Sequence, residues 1–107
     1  MARFDVYPNP DGLGSLLDVQ ADLLSHLNTR VVVPLLPLSF APRPARHLNP
    51  CFEVNGTVLV MATQFMAAVP AGILRKATGN LESKRIEIVA AVNFLMQGAL
   101  TVIASER

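Results

Sequence analysis

The chain has 107 residues, 51% of them apolar and 16% charged, with a net charge of +1 and no tryptophan. That length suits one domain, residues 1–107, able to bury a core without metal or disulfide help, and the apolar content excludes a disordered chain. Scattered basic residues argue against nucleic-acid binding, few aromatics argue against a base-stacking platform, and a single cysteine excludes an internally disulfide-bonded secreted scaffold.

Met1 to Tyr7 lacks the basic-then-apolar pattern of a signal peptide, so the cytoplasm is the expected location. In the same segment Phe4 and Val6 alternate with Arg3, Asp5 and Tyr7, which predicts a half-buried strand. Pro8-Asn9-Pro10-Asp11-Gly12 breaks it as a loop. Alternation returns with Leu17, Val19, Ala21 and Leu23 against Asp18, Gln20 and Asp22, predicting a second strand antiparallel to the first. After a polar turn, Val31-Val32-Val33-Pro34-Leu35-Leu36 reads as a strand, with a bulge or an edge at the proline. Residues 37–50 hold four prolines with Arg43, Arg46 and His47, and predict a long hairpin or wing. Asn55-Gly56 between alternating apolar residues predicts a type I′ hairpin, because both turn positions need positive φ. Short strands are expected over 63–69, stopped by Pro70.

The last element is a helix, capped by Asn80 and starting near Ser83. Ile86, Val89, Ala90, Asn93 and Gln97 share one stripe; Ile88, Ala91, Val92 and Leu95 share another. A helix apolar nearly all round is deeply buried or shared with a partner, and a chain this small favours the partner, most simply a second copy. The apolar stretch from Ile86 to Ala104 nears membrane-spanning length, but Glu87, Asn93 and Gln97 interrupt it.

Little in the sequence points to catalysis. His26 and His47 lie in different segments without further ligands at metal spacing. Cys51 reads as a buried structural cysteine. Asp18 and Asp22 share a strand face and could form an acid–base pair, although such a face is ordinarily solvated. Gly12 and Gly14 do not lead into a helix, so they make no nucleotide fingerprint. What remains is a protein-binding module. Its candidate contacts are the wing, Leu23-Leu24, and Met96-Gln97-Gly98.

One ordered set of residues resembles the CcdB family, the toxin half of a bacterial toxin–antitoxin pair. The set runs through Phe4-Asp5-Val6-Tyr7, then residues 17–24 with Asp18-Val19-Gln20-x-Asp22, Arg30, and Val33-Pro34-Leu35. It continues through Leu48-Asn49-Pro50, Met61-Ala62-Thr63, Met66-Ala67-Ala68-Val69-Pro70 and Ala91-Val92-Asn93-Phe94-Leu95. The resemblance implies a β-rich, α+β fold: a bent antiparallel sheet of the SH3-like barrel type, a small wing and one C-terminal helix. It implies a homodimer with neighbouring helix ends, no catalytic activity and no cofactor. It implies two partners, the A subunit of DNA gyrase, trapped with cleaved DNA, and a CcdA-like antitoxin.

The family's gyrase contacts fall here on Leu23, Leu24 and Asn93, and on Met96, which replaces an aromatic. The family's Trp-Gly-Ile ending falls on Gln97, Gly98 and Ala99, after which the chain continues to Arg107. Two alternatives remain beside gyrase poisoning. One keeps the fold and antitoxin binding with a lost or different target, because the tryptophan is missing. The other is an RNA-cleaving, MazF-like toxin using Asp18, Asp22, Arg3 and Arg30.

Overall fold

Short alternating segments and tight turns fold residues 1–98, the part described by the computed structural model, into a mostly antiparallel sheet bent into a nearly closed barrel. Its strands are β1 (Asp5–Pro8), β2 (Ser15–Asp18), β3 (Thr29–Pro37), β4 (Cys51–Val54), β5 (Thr57–Met61), β6 (Ala67–Pro70) and β7 (Gly79–Asn80). The order is β4-β5-β3-β2-β1-β7, with β6 on β3. One helix, α1 (Arg85–Gln97), packs on the sheet and ends the described chain.

Strand β3 organises the barrel. One edge pairs with β2. The other edge pairs first with β6, over Thr29–Val32, and then with β5, over Leu35–Pro37. Pro34 stands in the gap between those two partners, and its carbonyl accepts the Ala62 N–H at 2.8 Å. A residue in a strand directs its N–H and C=O to the same edge, so the missing proline donor falls where no strand needs it. The expected sheet edge at Pro34 is therefore not found. The proline sits in the central strand, at the point where the chain over 62–66 leaves the sheet.

The second predicted strand is shorter than its alternation suggested. β2 stops at Asp18, and Asp22–Leu24 form a 3-10 turn. The cause is the Asp18 side chain, which turns inward. Its Oδ1 accepts the Gln20 N–H at 3.0 Å and its Oδ2 accepts the Arg30 Nε–H at 2.8 Å. Tyr7 is likewise buried and does not face solvent opposite Phe4 and Val6. The sheet is covered on both faces. Phe4, Val6, Leu17, Leu35, Ile88 and Ala91 belong to the main core. Tyr7, Leu16, Val32 and Leu74 form a smaller cluster.

The remaining elements follow the turn chemistry. Asn55 and Gly56 join β4 to β5 with φ of 51° and 84°, as a type I′ turn requires. The wing leaves β3 through a 3-10 turn at Leu38–Phe40. It is tied back by buried Asn49, whose amide donates to Met61 O at 2.9 Å and Gln64 Oε1 at 2.8 Å. Asn80 does not cap α1, which begins after Lys84 without a side-chain cap. The Asn80 Oδ1 instead accepts the Glu82 N–H at 2.7 Å, a local turn ahead of the 3-10 turn that runs into α1. Gly98 ends α1 in the left-handed region, φ 70°, with its N–H donating to Phe94 O at 2.8 Å. No helix among the described residues is long and apolar enough to cross a membrane. Residues 99–107, including Ala99 and the segment from Leu100, lie outside the described residues.

Candidate functional surface

Only Ile88 and Ala91 of α1 are buried. Of the predicted stripe, Ile86, Ala90, Asn93 and Gln97 face away from them and Ile86 is 80% exposed, whereas Val89 is partly buried against the core. A groove of about 380 Å³ runs along this stripe. Its walls are Arg3, Arg85, Ile86, Val89, Ala90 and Asn93. A second cleft of about 470 Å³ lies on the other side, between the wing at residues 44–50 and the helix at Glu87 and Ala90. His47 borders it, in a left-handed backbone conformation of φ 69°, with its ring edge-on to Phe94 at 6.0 Å.

The 3-10 turn that follows β2 is fastened beside the first groove. Asp22 Oδ1 accepts the Arg3 backbone N–H at 2.8 Å. Arg3 thus belongs both to the anchor of the turn and to the wall shared with Asn93. The turn carries Leu23, 87% exposed, and Leu24, 43% exposed. Neither belongs to the core. Aliphatic side chains presented so openly on a pinned turn are available for burial against a partner. Met96 is 66% exposed in the last turn of α1, and Gln97 and Gly98 are exposed beside it. The sequence candidates therefore divide into the Leu23-Leu24 turn with Asn93 near Arg3, and the helix end at Met96, Gln97 and Gly98.

The meeting of Arg3, Phe4 and Arg85 beneath this surface carried no signal in the sequence. Phe4 is buried with φ 72°, a conformation a bulky side chain rarely adopts. It is held there because its N–H donates to Asp18 O at 2.7 Å and its carbonyl accepts the Leu81 N–H at 2.8 Å. Arg3 and Arg85 both lie over its ring, at 4.8 and 5.5 Å from the centroid. Residues so distant in sequence meet only through the fold, and no spacing pattern announces them.

The proposed pairing of Asp18 with Asp22 does not form. Asp18 is fully buried, whereas Asp22 is exposed and bound to the Arg3 amide. Asp18 faces Arg30, whose Nη2 is 2.6 Å from Oδ2, and both side chains are inaccessible. Arg30 Nη1 has no hydrogen-bond partner among the described residues. Burial pushes the Asp18 carboxyl above its ordinary range, against the opposing pull of the Gln20 N–H and the guanidinium. Burial also pushes the Tyr7 hydroxyl up to about 12, helped by the charges of Asp5 and Asp18 and by a hydrogen bond to Asp5. An acid–base site needs a carboxylate that substrate can reach, and Asp18 offers none.

Cys51 is exposed, contrary to the expectation of a buried thiol. It lies on β4 with Glu53, while Phe52 and Val54 alternate inward. Among the described residues no group of three or more His, Cys, Asp or Glu side chains could hold a metal ion.

The CcdB family, described as CcdB protein, matches residues 3–98. That span takes in the whole barrel, the wing, the Leu23-Leu24 turn and the helix to Gly98. The chain belongs to the CcdB family of toxin–antitoxin toxins.

Proposed function

We propose that this chain poisons DNA gyrase by binding its A subunit and trapping the cleavage complex, and that a CcdA-like antitoxin neutralises it. The observation that carries this reading is the open display of Leu23 and Leu24 on a turn anchored to Arg3, which shares a groove with Asn93. These are three of the positions at which the family's gyrase contact falls. The chain acts as one domain and as a homodimer in the cytoplasm. Exposed Met96, Gln97 and Gly98 extend the gyrase contact to the helix end, and the half-exposed apolar sides of α1 supply surface for the second copy. It works by contact, with no cofactor, no chemistry of its own, and no direct grip on nucleic acid or membrane.

A second reading keeps the fold and the antitoxin but changes the target. It is favoured by Gln97, exposed where the family carries tryptophan. An aromatic anchor is worth about 2 kcal/mol or more, so its loss weakens binding about 30-fold or more. Calorimetry with the gyrase A-subunit fragment from the same host separates the two. Micromolar or tighter binding supports gyrase poisoning. No binding by a folded dimer that still takes up its antitoxin supports the second reading.

A further inference from the structure

The groove beside α1 has a definite chemical character. One wall is aliphatic, from Ile86 and Val89, and Ile86 is 80% exposed there. The other is cationic, with the guanidinium groups of Arg3 and Arg85 over a single Phe4 ring. Arg3 donates through Nε to Val19 O at 3.2 Å, and its terminal amino groups have no hydrogen bond among the described residues. Arg85 forms one ion pair among the described residues, with Glu82 at 3.5 Å, in which the side chains are 53% and 60% exposed. Pairs this exposed contribute little and yield to a better-placed carboxylate. The other nearby acid, Asp22, is already engaged by the Arg3 amide. Phe4, in a left-handed backbone conformation, is hydrogen-bonded through its N–H to Asp18 and through its carbonyl to Leu81, at the point where both cations meet.

We propose that this groove is a carboxylate subsite. It receives an acidic side chain of a partner protein, whose neighbouring aliphatic residues pack on Ile86 and Val89. The proposal rests on the reading of this helix face as a partner-binding surface and names the chemistry of the segment it accepts. Guanidinium groups match carboxylates through paired N–H donors. A nucleic-acid backbone would satisfy the two cations but leave the exposed aliphatic wall uncovered, and it would meet Asp22 and Glu82 as like charges.

Display selection of random peptides against the immobilised full chain tests this. The expected winners carry Asp or Glu within a helical turn of Leu, Ile or Val. The leading peptide binds at least about tenfold more weakly to R3Q/R85Q, with R3K/R85K between the two, because lysine keeps the charge and loses the planar fork. The charge-reversed R3E/R85E variant selects basic peptides instead. Circular dichroism melts check that each variant is folded; should the reversed variant unfold, the lysine variant and the salt dependence of wild-type binding still decide the matter. Failure to enrich any peptide, enrichment without carboxylates, equal binding to all variants, or preference for short duplex DNA overturns the proposal. Gyrase or antitoxin binding that is unchanged in R3Q/R85Q removes the subsite and leaves the proposed function standing. Selection of acidic peptides by a chain that binds neither protein does the reverse.

Discussion

Replacing Arg30 by methionine removes the counter-charge of a carboxylate that has no access to water. Asp18 and Arg30 are 0% and 1% exposed, and Oδ2 receives Nε–H at 2.8 Å. Without the guanidinium, Asp18 keeps only the Gln20 N–H at 3.0 Å. Breaking a buried pair by removing one partner costs about 3–5 kcal/mol, a large share of the roughly 5–15 kcal/mol that holds a small domain together. The double substitution D18N/R30M removes both charges and keeps an acceptor for Gln20, so it recovers more than half of that loss. Guanidinium unfolding followed by far-ultraviolet circular dichroism measures all four proteins, and the cycle gives a coupling of at least about 2 kcal/mol. Acidification partly restores R30M. A carboxyl raised by burial destabilises the folded state as pH climbs through its folded pKa, and that penalty is absent below the unfolded value of about 4. Additive single effects below about 1 kcal/mol, or an R30M variant indifferent to pH, would refute the reasoning.

Tyr7 is the only tyrosine and the chain lacks tryptophan, so absorbance of the phenolate reports it alone. Its native titration is expected near pH 12, against about 10 after unfolding, and the protein loses stability as pH rises through that window; a native midpoint at 10 contradicts the buried placement. Leu23→Ser leaves stability within about 0.5 kcal/mol, because the side chain is 87% exposed, while weakening the gyrase or antitoxin complex at least about tenfold by calorimetry. Gly14→Ala destabilises by more than about 1 kcal/mol in the same unfolding assay, since φ is +79° and the new Cβ would collide with the Leu35 carbonyl. Cys51 reacts with a thiol reagent in the native protein without prior unfolding, and Cys51→Ser unfolds at the same denaturant concentration as wild type.

Local chemistry was readable wherever one residue type decides the backbone. Asn55-Gly56 selected its turn, whereas Asn80 makes a local turn with Glu82 and leaves the start of α1 without a side-chain cap. The alternation rule failed where the sheet is covered on both faces. Leu16 and Leu17 are both buried, as are Val32 and Val33, so period two no longer marks one inner side. It failed again at Asp18, because a carboxylate with a buried arginine partner looks in sequence like any solvent-facing acid. The helix stripe with Asn93 was legible from spacing, and the exposed leucines stood out as contact candidates, although the strand pattern puts Leu23 on an inner face. The Arg3–Phe4–Arg85 cluster was not, because its members join only when β1 and β7 bring the two ends of the described chain together.

That meeting of β1 with β7 constrains the order of biosynthesis. Val6 pairs with Gly79, and Asp5 with Asn80. The strand at residues 5–8 therefore waits, unpaired on one edge, until residues 79–80 have been made. Contacts of such long sequence separation close slowly. Arg3 meets the helix wall of its groove only once residues 85–93 have also been made. The surface proposed to engage a target is therefore completed late, after the barrel strands that carry the exposed leucine turn.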